Sequence, residues 1–474
     1  MRISFSLKKI LHFVKIITYM IFARSNNPYY RRRSMATLTF KGGIHPYDGK
    51  DLSKSKPIAE AMPTDIMVYP LSQHIGAPAK PIVSVGDRVL GNQKIAEADG
   101  FVSANIYASV SGIVKAIEPR RVVNGSKVMS IVIENDNMFE YGPDIPVKPI
   151  ADMTKEEVVA VIKEAGIIGM GGAGFPTHVK LSPKNPDQIH YVIANCAECE
   201  PYLTSDYRKM IEEPEKLVAG LKIILCLFDH ARGILAVEDN KPDAIKKLKE
   251  LTIDEPRIEV KALKTKYPQG SERQLIFATT KRAINSTMLP ADAGCIVDNV
   301  DTIIAIYSAI IEGKPLTERI ITVTGDAIRF PQNYKVKCGT IYGSLIEEAG
   351  GFKDAYPEKI ISGGPMMGMA MYDLNVPVTK ASSALLCMKK DEVKACKPTN
   401  CINCGMCVQV CPSRLIPSRL ADFAENDDKE QYEHYNGMEC VECGSCSYVC
   451  PAKRHLAQSI RTMRKQILAD RRKK

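Results

Sequence analysis

The chain has 474 residues, enough for roughly three domains of about 150 residues each. Its 45% hydrophobic and 25% charged residues are the balance of a globular protein and exclude wholesale disorder. The net charge of +10 falls to +2 once the eight basic residues of positions 1–34, a stretch without Asp or Glu, are set aside. A general polyanion-binding role, and with it nucleic acid as a partner, therefore loses its main support.

Residues 1–34 form a basic leader with a short apolar run. The run, residues 10–23, is broken by His12 and Lys15 and falls short of the about 20 apolar residues that span a membrane. It resembles a signal peptide but lacks the small-residue cleavage pattern. Because a globular pattern opens at Met35, we expect Met35 to be the physiological start, with a basic anchor at a membrane surface as the alternative.

Residues 35–146 have the pattern of short strands and turns. Residues 81–91 and 95–115 alternate apolar and polar side chains and turn at glycines, which predicts a β-sandwich or barrel. The pattern resembles the barrel-sandwich fold of lipoyl and biotinyl domains, which carry their cofactor on a lysine at a hairpin tip. Residues 97–103 contain no lysine. We therefore expect a structural module and not a cofactor carrier.

Residues 147–316 switch to alternating helices and strands. Thr154 and Glu157 form a capping-box pattern at the start of a helix that Gly166 ends. Strands are predicted at residues 189–194, 233–237 and 257–263, with helical stretches between them. This order predicts a mostly parallel sheet, whose ligand sites lie beyond the carboxyl ends of the strands. Residues 317–380 form a smaller unit with a strand at 320–324, a helix at 344–349 and a Gly/Pro-rich loop at 360–368.

The strongest chemical signal is a cysteine run that occurs twice in residues 381–474. Each copy has the spacing C-x2-C-x2-C-x3-C-P, which is very specific for a [4Fe–4S] cluster. In two-cluster proteins the fourth cysteine of each run serves the other cluster. We therefore assign Cys401, Cys404, Cys407 and Cys450 to one cluster, and Cys440, Cys443, Cys446 and Cys411 to the other.

Zinc and disulfides are the alternatives to these clusters. Zinc sites typically use pairs of ligands separated by a longer loop, so runs of four cysteines with a following Pro favour iron–sulfur clusters. The helical linker between the two runs predicts a helical ferredoxin-type domain. The seven remaining cysteines form no paired framework, which fits a reducing cytosol.

A glycine-rich stretch follows the capped helix. Gly169, Gly171, Gly172 and Gly174 would let backbone N–H groups approach a phosphate or a flat ring closely. The stretch does not have the G-x-G-x-x-G pattern that opens a helix after a strand, so it is not a dinucleotide fingerprint. On its own it is weak support for a binding site.

Three further segments accompany the glycines in a matching order. They are Asn-Cys-Ala-Glu-Cys-Glu-Pro-Tyr at residues 195–202, Tyr-Pro-Gln-Gly-Ser-Glu at 267–272 and Asn-Val-Asp-Thr at 299–302. Together the four segments resemble the flavin loops of the NADH-binding subunit of respiratory complex I. Met170, Ala197 and Ser271 depart from that family, which has Arg, Asp and Glu at these positions. The resemblance implies FMN held by the four glycines and Lys180, with the following residues around flavin and NAD(H): Asn195, Glu198, Glu200, Glu272 and Asn299.

The resemblance also implies roles for single residues. Glu198 would lie at the nicotinamide and orient it for catalysis without acting as a base, because hydride transfer needs none. Lys180 would offset charge on the phosphate or on the reduced flavin. The alternative for Glu198, Glu200 and Glu272 is that they are ordinary loop carboxylates that cap helices.

From Met35 onward the chain resembles the C subunit of Rnf ion-translocating electron transport complexes. The resemblance rests on the barrel-sandwich segment, on both cysteine runs and on residues 40–46, 171–177, 198–203, 267–270 and 363–368. It implies a multidomain α/β and α+β fold with a barrel-sandwich domain, an FMN/NADH-binding α/β domain, a β-grasp unit and a ferredoxin-type domain. It implies FMN and two [4Fe–4S] clusters that relay electrons between ferredoxin and NAD+. It also implies a peripheral position among other subunits at the cytoplasmic face of the cell membrane.

Two other functions and one surface remain open at this point. The motifs also fit a soluble FMN/iron–sulfur reductase similar to corrin reductases, or an electron-relay scaffold without catalysis. The coupling ion and the preference for NAD or NADP are not predicted. In the basic segment 453–474, one helical face could contact anionic lipid or a partner, or the helix could simply be solvated. That face carries Leu456, Ile460, Met463, Ile467 and Leu468.

Overall fold

The computed structural model describes residues 37–473, and from Thr39 onward these belong to one compact unit. The predictions about the leader and Met35 lie outside the described residues. Within residues 37–473, no helix is both long and apolar enough to cross a membrane. The fold class predicted from the sequence is confirmed domain by domain, and the domain bounds remain predictions.

The barrel-sandwich domain is built from two small antiparallel sheets. The four-stranded sheet has the order β2-β8-β7-β4 and the three-stranded sheet the order β3-β5-β6. Apolar residues from both sheets share one core, among them Met67, Ile95, Ile106 and Ile131. The strands are β2 (Ile66–Pro70), β3 (Lys80–Pro81), β4 (Arg88–Val89), β5 (Lys94–Glu97), β6 (Ile106–Tyr107), β7 (Gly112–Arg121) and β8 (Lys127–Asn135).

The central domain contains a four-stranded, fully parallel sheet of order β11-β10-β9-β12. Its strands are β9 (Tyr191–Cys196), β10 (Arg232–Glu238), β11 (Ile258–Leu263) and β12 (Cys295–Asn299). The helices are α1 (Lys155–Glu164), α2 (Thr177–Lys180), α3 (Ser205–Glu212), α4 (Pro214–Cys226), α5 (Pro242–Leu251), α6 (Glu272–Thr280) and α7 (Val300–Glu312). The predicted capping box at Thr154 and Glu157 starts α1. The chain first adds β10 and β11 on one side of β9 and then β12 on the other, so the strand order reverses between β9 and β12.

The third unit is a six-stranded mixed sheet of order β1-β14-β13-β17-β15-β16. The sheet reaches beyond residues 317–380, since β1 precedes the barrel and β17 follows residue 380. Helix α8 (Tyr342–Glu348) packs on it. The strands are β1 (Ala59–Glu60), β13 (Glu318–Thr324), β14 (Gln332–Lys337), β15 (Lys359–Ser362), β16 (Met369–Met371) and β17 (Ala384–Met388).

The cysteine-rich end of the chain is helical. Its elements are α9 (Glu392–Ala395), α10 (Met406–Val410), α11 (Pro417–Glu425), α12 (Lys429–His434), α13 (Ser445–Tyr448) and α14 (Leu456–Lys473). The apolar face of α14 packs inside this domain, where Leu456, Ile460, Met463 and Ile467 are all at most 4% exposed. This corrects the expectation for residues 453–474: four of the five apolar residues pack inside the domain, and only Leu468 is half-buried. Short 3-10 helices cover Lys50–Leu52, Ile150–Asp152, Pro186–Gln188, Pro290–Ala293 and Gly437–Glu439.

Candidate functional site: a flavin crevice joined to two cysteine cavities

In the structure, the fourth cysteine of each run lies beside the first three cysteines of the other run. One cavity is lined by Cys440, Cys443 and Cys446 together with Cys411 of the first run. The other is lined by Cys401, Cys404 and Cys407 together with Cys450 of the second run. The structure thus brings together the two sets of four cysteines that the sequence predicted. We refer to them as the Cys443 cavity and the Cys401 cavity.

The cysteines surround each cavity without converging on a point. Among residues 37–473, no group of three or more His, Cys, Asp or Glu side chains is arranged to hold a single metal ion. A zinc ion needs every sulfur about 2.3 Å from one centre. A cubane spreads its irons over several corners and needs its thiolates further apart. Four thiols line each cavity, and this donor set at the spacing of the two runs fits a [4Fe–4S] cluster.

The two cavities differ in their exposure. Cys443 and Cys446 are 8% and 9% exposed, and Cys411 and Cys440 are half-buried. At the Cys401 cavity, Cys401 and Cys404 are both exposed. Cys407 is 9% exposed and Cys450 is half-buried, so the Cys443 cavity is the more buried of the two and the Cys401 cavity the more exposed.

The reversal of strand order brings two predicted residues together. Asn195 of β9 and Asn299 of β12 are register partners at the carboxyl ends of their strands. In open α/β sheets, ligands bind in the crevice where the strand order reverses. Asn299 Nδ2 donates to Asp206 Oδ2 at 2.7 Å, and its Oδ1 accepts from Asp301 N at 2.8 Å as the N-cap of α7. We call this opening the flavin crevice.

The glycine loop lines the crevice. Gly171 has φ +80°, and a Cβ there would lie 3.0 Å from Asn299 Nδ2. At Gly172 a Cβ would meet nothing within 4 Å, so the space in front of this residue is open. Gly169 N donates to Phe175 O at 2.7 Å, and Met170 N donates to Thr302 Oγ1 at 2.9 Å. Hydrogen bonds therefore hold Gly169 and Met170 at the start of the loop, whereas a side chain at Gly172 would meet no neighbouring atom.

The barrel domain holds the other end of the same loop. Ile75 N donates to Gly174 O at 3.1 Å. The hairpin at residues 97–103 packs Phe101 edge-on against His178 of α2, with ring centroids 6.1 Å apart, and Phe101 O lies 3.0 Å from His178 Nε2. The hairpin tip that carries the lysine in lipoyl-type domains is here fixed beside the glycine loop.

Lys180 is half-buried next to the loop and paired. Its Nζ donates to Asp298 Oδ1 at 2.9 Å and to Val297 O at 2.7 Å. Burial lowers the pKa of this ammonium, but Asp298 and Glu272 more than offset burial, and the pKa stays above its ordinary value. Lys180 therefore keeps a positive charge in the crevice. Glu272, the first residue of α6, is the second carboxylate that this charge faces.

Glu198 and Glu200 both make structural contacts. Glu198 Oε1 accepts from Asp206 N at 2.7 Å in the first turn of α3, while its Oε2 has no hydrogen-bond partner and lies 3.8 Å from Lys50 Nζ. Glu198 has φ +46°, which is unfavourable for this residue type. Burial raises the pKa of Glu198, against the opposing effect of Lys50 and Lys241.

The Glu200 carboxylate reaches the third unit. Its Oε1 accepts from Met366 N at 2.6 Å and from Met367 N at 3.0 Å in the Gly/Pro-rich loop. In this structure Glu198 therefore caps a helix and Glu200 holds a neighbouring loop. Of the Glu198 oxygens, Oε2 is the one without a hydrogen-bond partner.

Unsatisfied polar atoms mark the crevice as a binding site. Within residues 37–473, eight buried side-chain nitrogen or oxygen atoms lack a hydrogen-bond partner. Buried polar groups are normally paired, so each exception calls for a partner. Five of the eight belong to the segments around the crevice: Thr177 Oγ1, Glu198 Oε2, Gln269 Nε2, Gln274 Oε1 and Asp298 Oδ2. Together with the open space at Gly172, they fit a bound polar cofactor such as FMN.

Residues 267–270 join the crevice to the Cys443 cavity. Gly270 O accepts from Asn195 Nδ2 at 2.8 Å, and Gly270 N donates to Cys199 Sγ at 3.2 Å. At the other end of this loop, Tyr267 is 2% exposed and its hydroxyl donates to Cys443 O at 2.8 Å. One short loop thus contacts both Asn195 of the crevice and Cys443 of the Cys443 cavity.

The sequence alone did not identify Asp206 or a role for Tyr267. Asp206 lies between Glu198 and Asn299, and burial together with Glu198 and Asp301 raises its pKa to about 7. Its only sequence signal is an acidic residue at the start of a helix, which usually indicates a cap. Tyr267 belongs to one of the four flavin-loop segments, but only the fold brings it to Cys443.

Comparisons with known proteins agree with this geometry. Over 436 residues the chain is 46% identical to the C subunit of the Na+-translocating ferredoxin:NAD+ oxidoreductase complex of Acetobacterium woodii, covering 92% of this chain and 98% of that protein. The chain belongs to the family of the C subunits of ion-translocating oxidoreductase complexes. It is also 46% identical over 428 residues to the C subunit of the proton-translocating ferredoxin:NAD+ oxidoreductase complex of Clostridium ljungdahlii, covering 90% and 93% of the two chains.

Family models match each of the four domains. Residues 38–138 match the RnfC barrel sandwich hybrid domain and residues 162–308 the Nuo51 FMN-binding domain. Residues 320–370 match the SLBB domain and residues 393–453 the 4Fe–4S dicluster domain. The predicted cofactor classes, FMN and [4Fe–4S], are those of the matched domains. Among solved structures, an air-oxidized NAD+-reducing [NiFe]-hydrogenase is 18% identical with a TM-score of 0.46, covering 60% of this chain and 54% of that one, which is too weak to support a conclusion.

Proposed function

We propose that this chain is a peripheral subunit, at the cytoplasmic face of the membrane, of a complex that couples electron transfer between reduced ferredoxin and NAD+ to ion translocation. The names of the two relatives support the assignment, and so do the cofactor classes of the matched domains. One relative is named for Na+ and the other for protons, and both are 46% identical to this chain. Sequence identity therefore does not favour either coupling ion.

In this proposal the crevice binds FMN and presents it to NAD(H). FMN supplies the exchange of hydride with NAD(H) and of single electrons with iron–sulfur clusters. Lys180 contributes a fixed positive charge, and Gly172 leaves room for the bound group. Glu198 Oε2, which has no hydrogen-bond partner and lies 3.8 Å from Lys50 Nζ, would accept a hydrogen bond from the nicotinamide carboxamide and orient it. The remaining contacts come from Gly169, Gly171, Gly174, Asn195, Glu200, Glu272 and Asn299.

The proposal also orders the two clusters. Residues 267–270 contact Asn195 at one end and Cys443 at the other, and this is the observation that carries the function. The cluster in the Cys443 cavity is then the first to exchange electrons with the flavin. The cluster in the Cys401 cavity, whose ligands Cys401 and Cys404 are exposed, is the outer one.

An anaerobic NADH titration followed by visible and EPR spectra tests the proposal. We expect NADH to bleach the flavin and reduce clusters in the reconstituted chain. If NADH does not bleach the flavin, the proposed function is contradicted, even if both clusters are present.

Two serine substitutions test the order of the clusters. Cys450→Ser should damage the outer cluster and leave one NADH-reducible cluster. Cys411→Ser should damage the inner cluster and leave an outer cluster that dithionite reduces but NADH does not. Each variant is the matched control for the other, and the reverse pattern would contradict the order.

A further inference from the structure

A segment ahead of the barrel packs along two loops of the flavin crevice. Ile44 and Tyr267 exchange two backbone hydrogen bonds, of 2.8 and 2.9 Å. Further along the segment, Ser53 Oγ lies 2.7 Å from Thr204 Oγ1, and both side chains are buried. We call residues 44–53 the leading segment. Its two ends are therefore fixed to the central domain.

The loop at residues 197–203, which carries Glu198, has an unfavourable backbone. Glu198 has φ +46° and Tyr202 has φ +68°, in the left-handed region that residues other than glycine avoid. Such conformations persist only where surrounding contacts fix them, and they cluster at ligand clamps. The leading segment supplies one of these contacts, since Asp48 O accepts from Tyr202 N at 2.6 Å.

Lys50 makes the other contacts between the leading segment and this loop. Its side chain is buried, and its Nζ donates to Glu200 O at 3.0 Å and to Leu203 O. An ammonium group has three donors, so two of them are used on carbonyls of the loop. The Nζ also lies 3.8 Å from Glu198 Oε2, which is too far for a hydrogen bond. Lys50 thus places a positive charge beside Glu198 and leaves Oε2 without a hydrogen bond.

Lys241 holds the other end of the loop in a different way. Its Nζ donates to Ala197 O at 2.8 Å, to Glu238 Oε2 at 3.1 Å and to Asn240 Oδ1 at 3.0 Å. All three of its donors are therefore used, and its charge is paired with Glu238. Of the two buried lysines at this loop, Lys50 is the one that pairs with Glu198.

We propose that Lys50 is a positioning residue for the reaction with NAD(H): it holds the loop that carries Glu198 so that Oε2 meets the nicotinamide carboxamide. The inference rests on the proposed function and adds to it a residue from outside the flavin domain. Lys50 lies in the match to the barrel sandwich domain, not in the match to the FMN-binding domain. It acts through Glu198 and not by contact with the nucleotide.

The charge of Lys50 also favours the ionised form of Glu198. Burial raises the pKa of Glu198, and Lys50, ahead of Lys241, opposes the rise. Removing the Lys50 charge therefore raises this pKa further, and a protonated Glu198 is a weaker acceptor for the carboxamide N–H. The other titratable groups that face this pair are Cys199, Asp206, Tyr207 and Glu238.

The alternative is that Lys50 only stabilises the fold. Lys380 is a comparable buried lysine, since its Nζ also donates to two carbonyl oxygens. At Lys380 the facing titratable group is the Cys338 thiol and not a carboxylate. Lys380→Met is therefore the matched control for Lys50→Met: each change removes two donors, and only Lys50→Met also acts on Glu198.

The first measurement uses the full chain before FMN is added, so it does not depend on the reaction. Hydrogen–deuterium exchange of residues 197–207 reports whether the loop is held, because Glu198 Oε1 accepts from Asp206 N. We expect exchange in this stretch to be about tenfold faster in Lys50→Met than in the unmodified chain. In Lys380→Met it should stay close to that of the unmodified chain.

The second measurement is NADH oxidation by the FMN-loaded chain with ferricyanide as electron acceptor. Near neutral pH we expect Lys50→Met to raise the KM for NADH about tenfold, with a smaller fall in kcat, because the nicotinamide loses a hydrogen bond to a charged acceptor. Lys50→Arg keeps the charge and the donors and should restore most of the KM. Lys380→Met should leave the KM unchanged.

The pH profile separates Glu198 from its neighbour Asp206, whose pKa is raised to about 7 by burial and then by Glu198 and Asp301. In the unmodified chain the KM for NADH should rise as pH falls, and in Lys50→Met this rise should begin at a higher pH. Glu198→Gln cannot ionise, so its profile should be flat, and Lys50→Met should add little to it. A rise that persists in Glu198→Gln would overturn the proposal without requiring any Lys50 variant to fold.

Further outcomes contradict the positioning role. Faster loop exchange in Lys50→Met with an unchanged KM would make Lys50 a purely structural residue. An equal rise in KM in Lys380→Met would show that any buried lysine has this effect. If NADH does not reduce the flavin of the unmodified chain, the proposed function fails. Unchanged loop exchange in Lys50→Met overturns the positioning role separately.

Discussion

Gly172 is the residue at which the requirements of folding and of cofactor binding differ most clearly. A Cβ at this position meets nothing within 4 Å, so the chain tolerates a larger side chain there, while the proposed flavin needs the same space. We expect Gly172→Val to fold with an unchanged melting temperature and to bind much less FMN after reconstitution, measured by flavin absorbance per chain. Gly351→Val, at another glycine with open space but with φ +77°, is a control that should cost stability and leave FMN binding intact. Normal flavin content in Gly172→Val would contradict the assigned crevice.

The raised pKa of Asp206, beside the crevice, predicts how the stability of the protein depends on pH. Burial, then Glu198 and Asp301, raise its pKa from 3.8 to about 7, while Asn299 and Arg319 oppose the rise. The folded state therefore binds more protons than the unfolded state between about pH 4 and pH 7, and this contribution to stability is lost as pH rises through that window. Three cations are near this cluster: Arg319 pairs with Asp301, Lys209 lies 3.7 Å from Asp301, and Lys50 lies 3.8 Å from Glu198.

Asp206→Asn tests this sign. Asparagine keeps an oxygen that can accept from Asn299 Nδ2, and it has no charge to bury. We expect the fall in the free energy of unfolding from pH 4 to pH 7 to be shallower in this variant than in the unmodified chain, measured by denaturant titration at each pH. Asp229→Asn, at an exposed ion pair with Lys155, is the control that should not reproduce the effect. An identical pH profile for Asp206→Asn would show that the carboxylate is not held protonated.

At the scale of elements, the loop at residues 267–270 is the critical connection. Tyr267→Phe keeps the buried ring and removes the hydroxyl that donates to Cys443 O. A buried carbonyl left without its partner costs about 1–3 kcal/mol. We expect this loss of stability, together with slower appearance of electrons in the clusters after rapid mixing with NADH, while flavin bleaching keeps its rate.

Tyr432→Phe is the matched control for this element. The Tyr432 hydroxyl donates at 3.1 Å to Gly437 O and to Ile460 O, both within the helical domain. Its loss should cost similar stability without slowing transfer from flavin to cluster. Equal slowing in both variants would mean that the loop at 267–270 has no special part in the transfer.

Elements whose signals are local were predicted closely, and contacts between distant elements were not. The cysteine spacing and the capping box at Thr154 are local, and the structure has both as expected. The strand predicted to end at residue 194 runs to Cys196, because Asn195 continues to pair with Asn299 at the edge of the sheet. In the sequence, the polar residues Asn195 and Asn299 suggest loops. In the structure they are the ends of two strands and face the crevice. The contacts of Glu200 with Met366 and of Tyr267 with Cys443 join residues more than 160 positions apart and have no local signature.

At the scale of the whole molecule, Lys380 joins three domains. Its side chain is 1% exposed, and its Nζ donates to Asn105 O of the barrel at 2.6 Å and to Gly166 O of the central domain at 2.7 Å. The backbone N–H of Lys380 donates to Gln73 Oε1 of the barrel at 3.1 Å. Burial lowers the pKa of this ammonium to about 8.

Lys380→Met tests this junction. Methionine fills the space but leaves two buried carbonyls without a donor, so we expect a loss of about 3 kcal/mol in the free energy of unfolding. Limited proteolysis should then cut between the barrel and the central domain sooner than in the unmodified chain. Lys246→Met, at an exposed lysine, should change neither measurement. Unchanged stability in Lys380→Met would mean that the three domains are held by other contacts.

The attachment of the barrel hairpin to His178 and Gly174 has a consequence for kinetics. A swinging arm delivers its group by tethered diffusion, at a frequency set by the length and stiffness of the tether. Here the corresponding hairpin packs against His178, so this hairpin is not free to swing as such an arm does. In the proposed relay, electron transfer would therefore not depend on the motion of this hairpin.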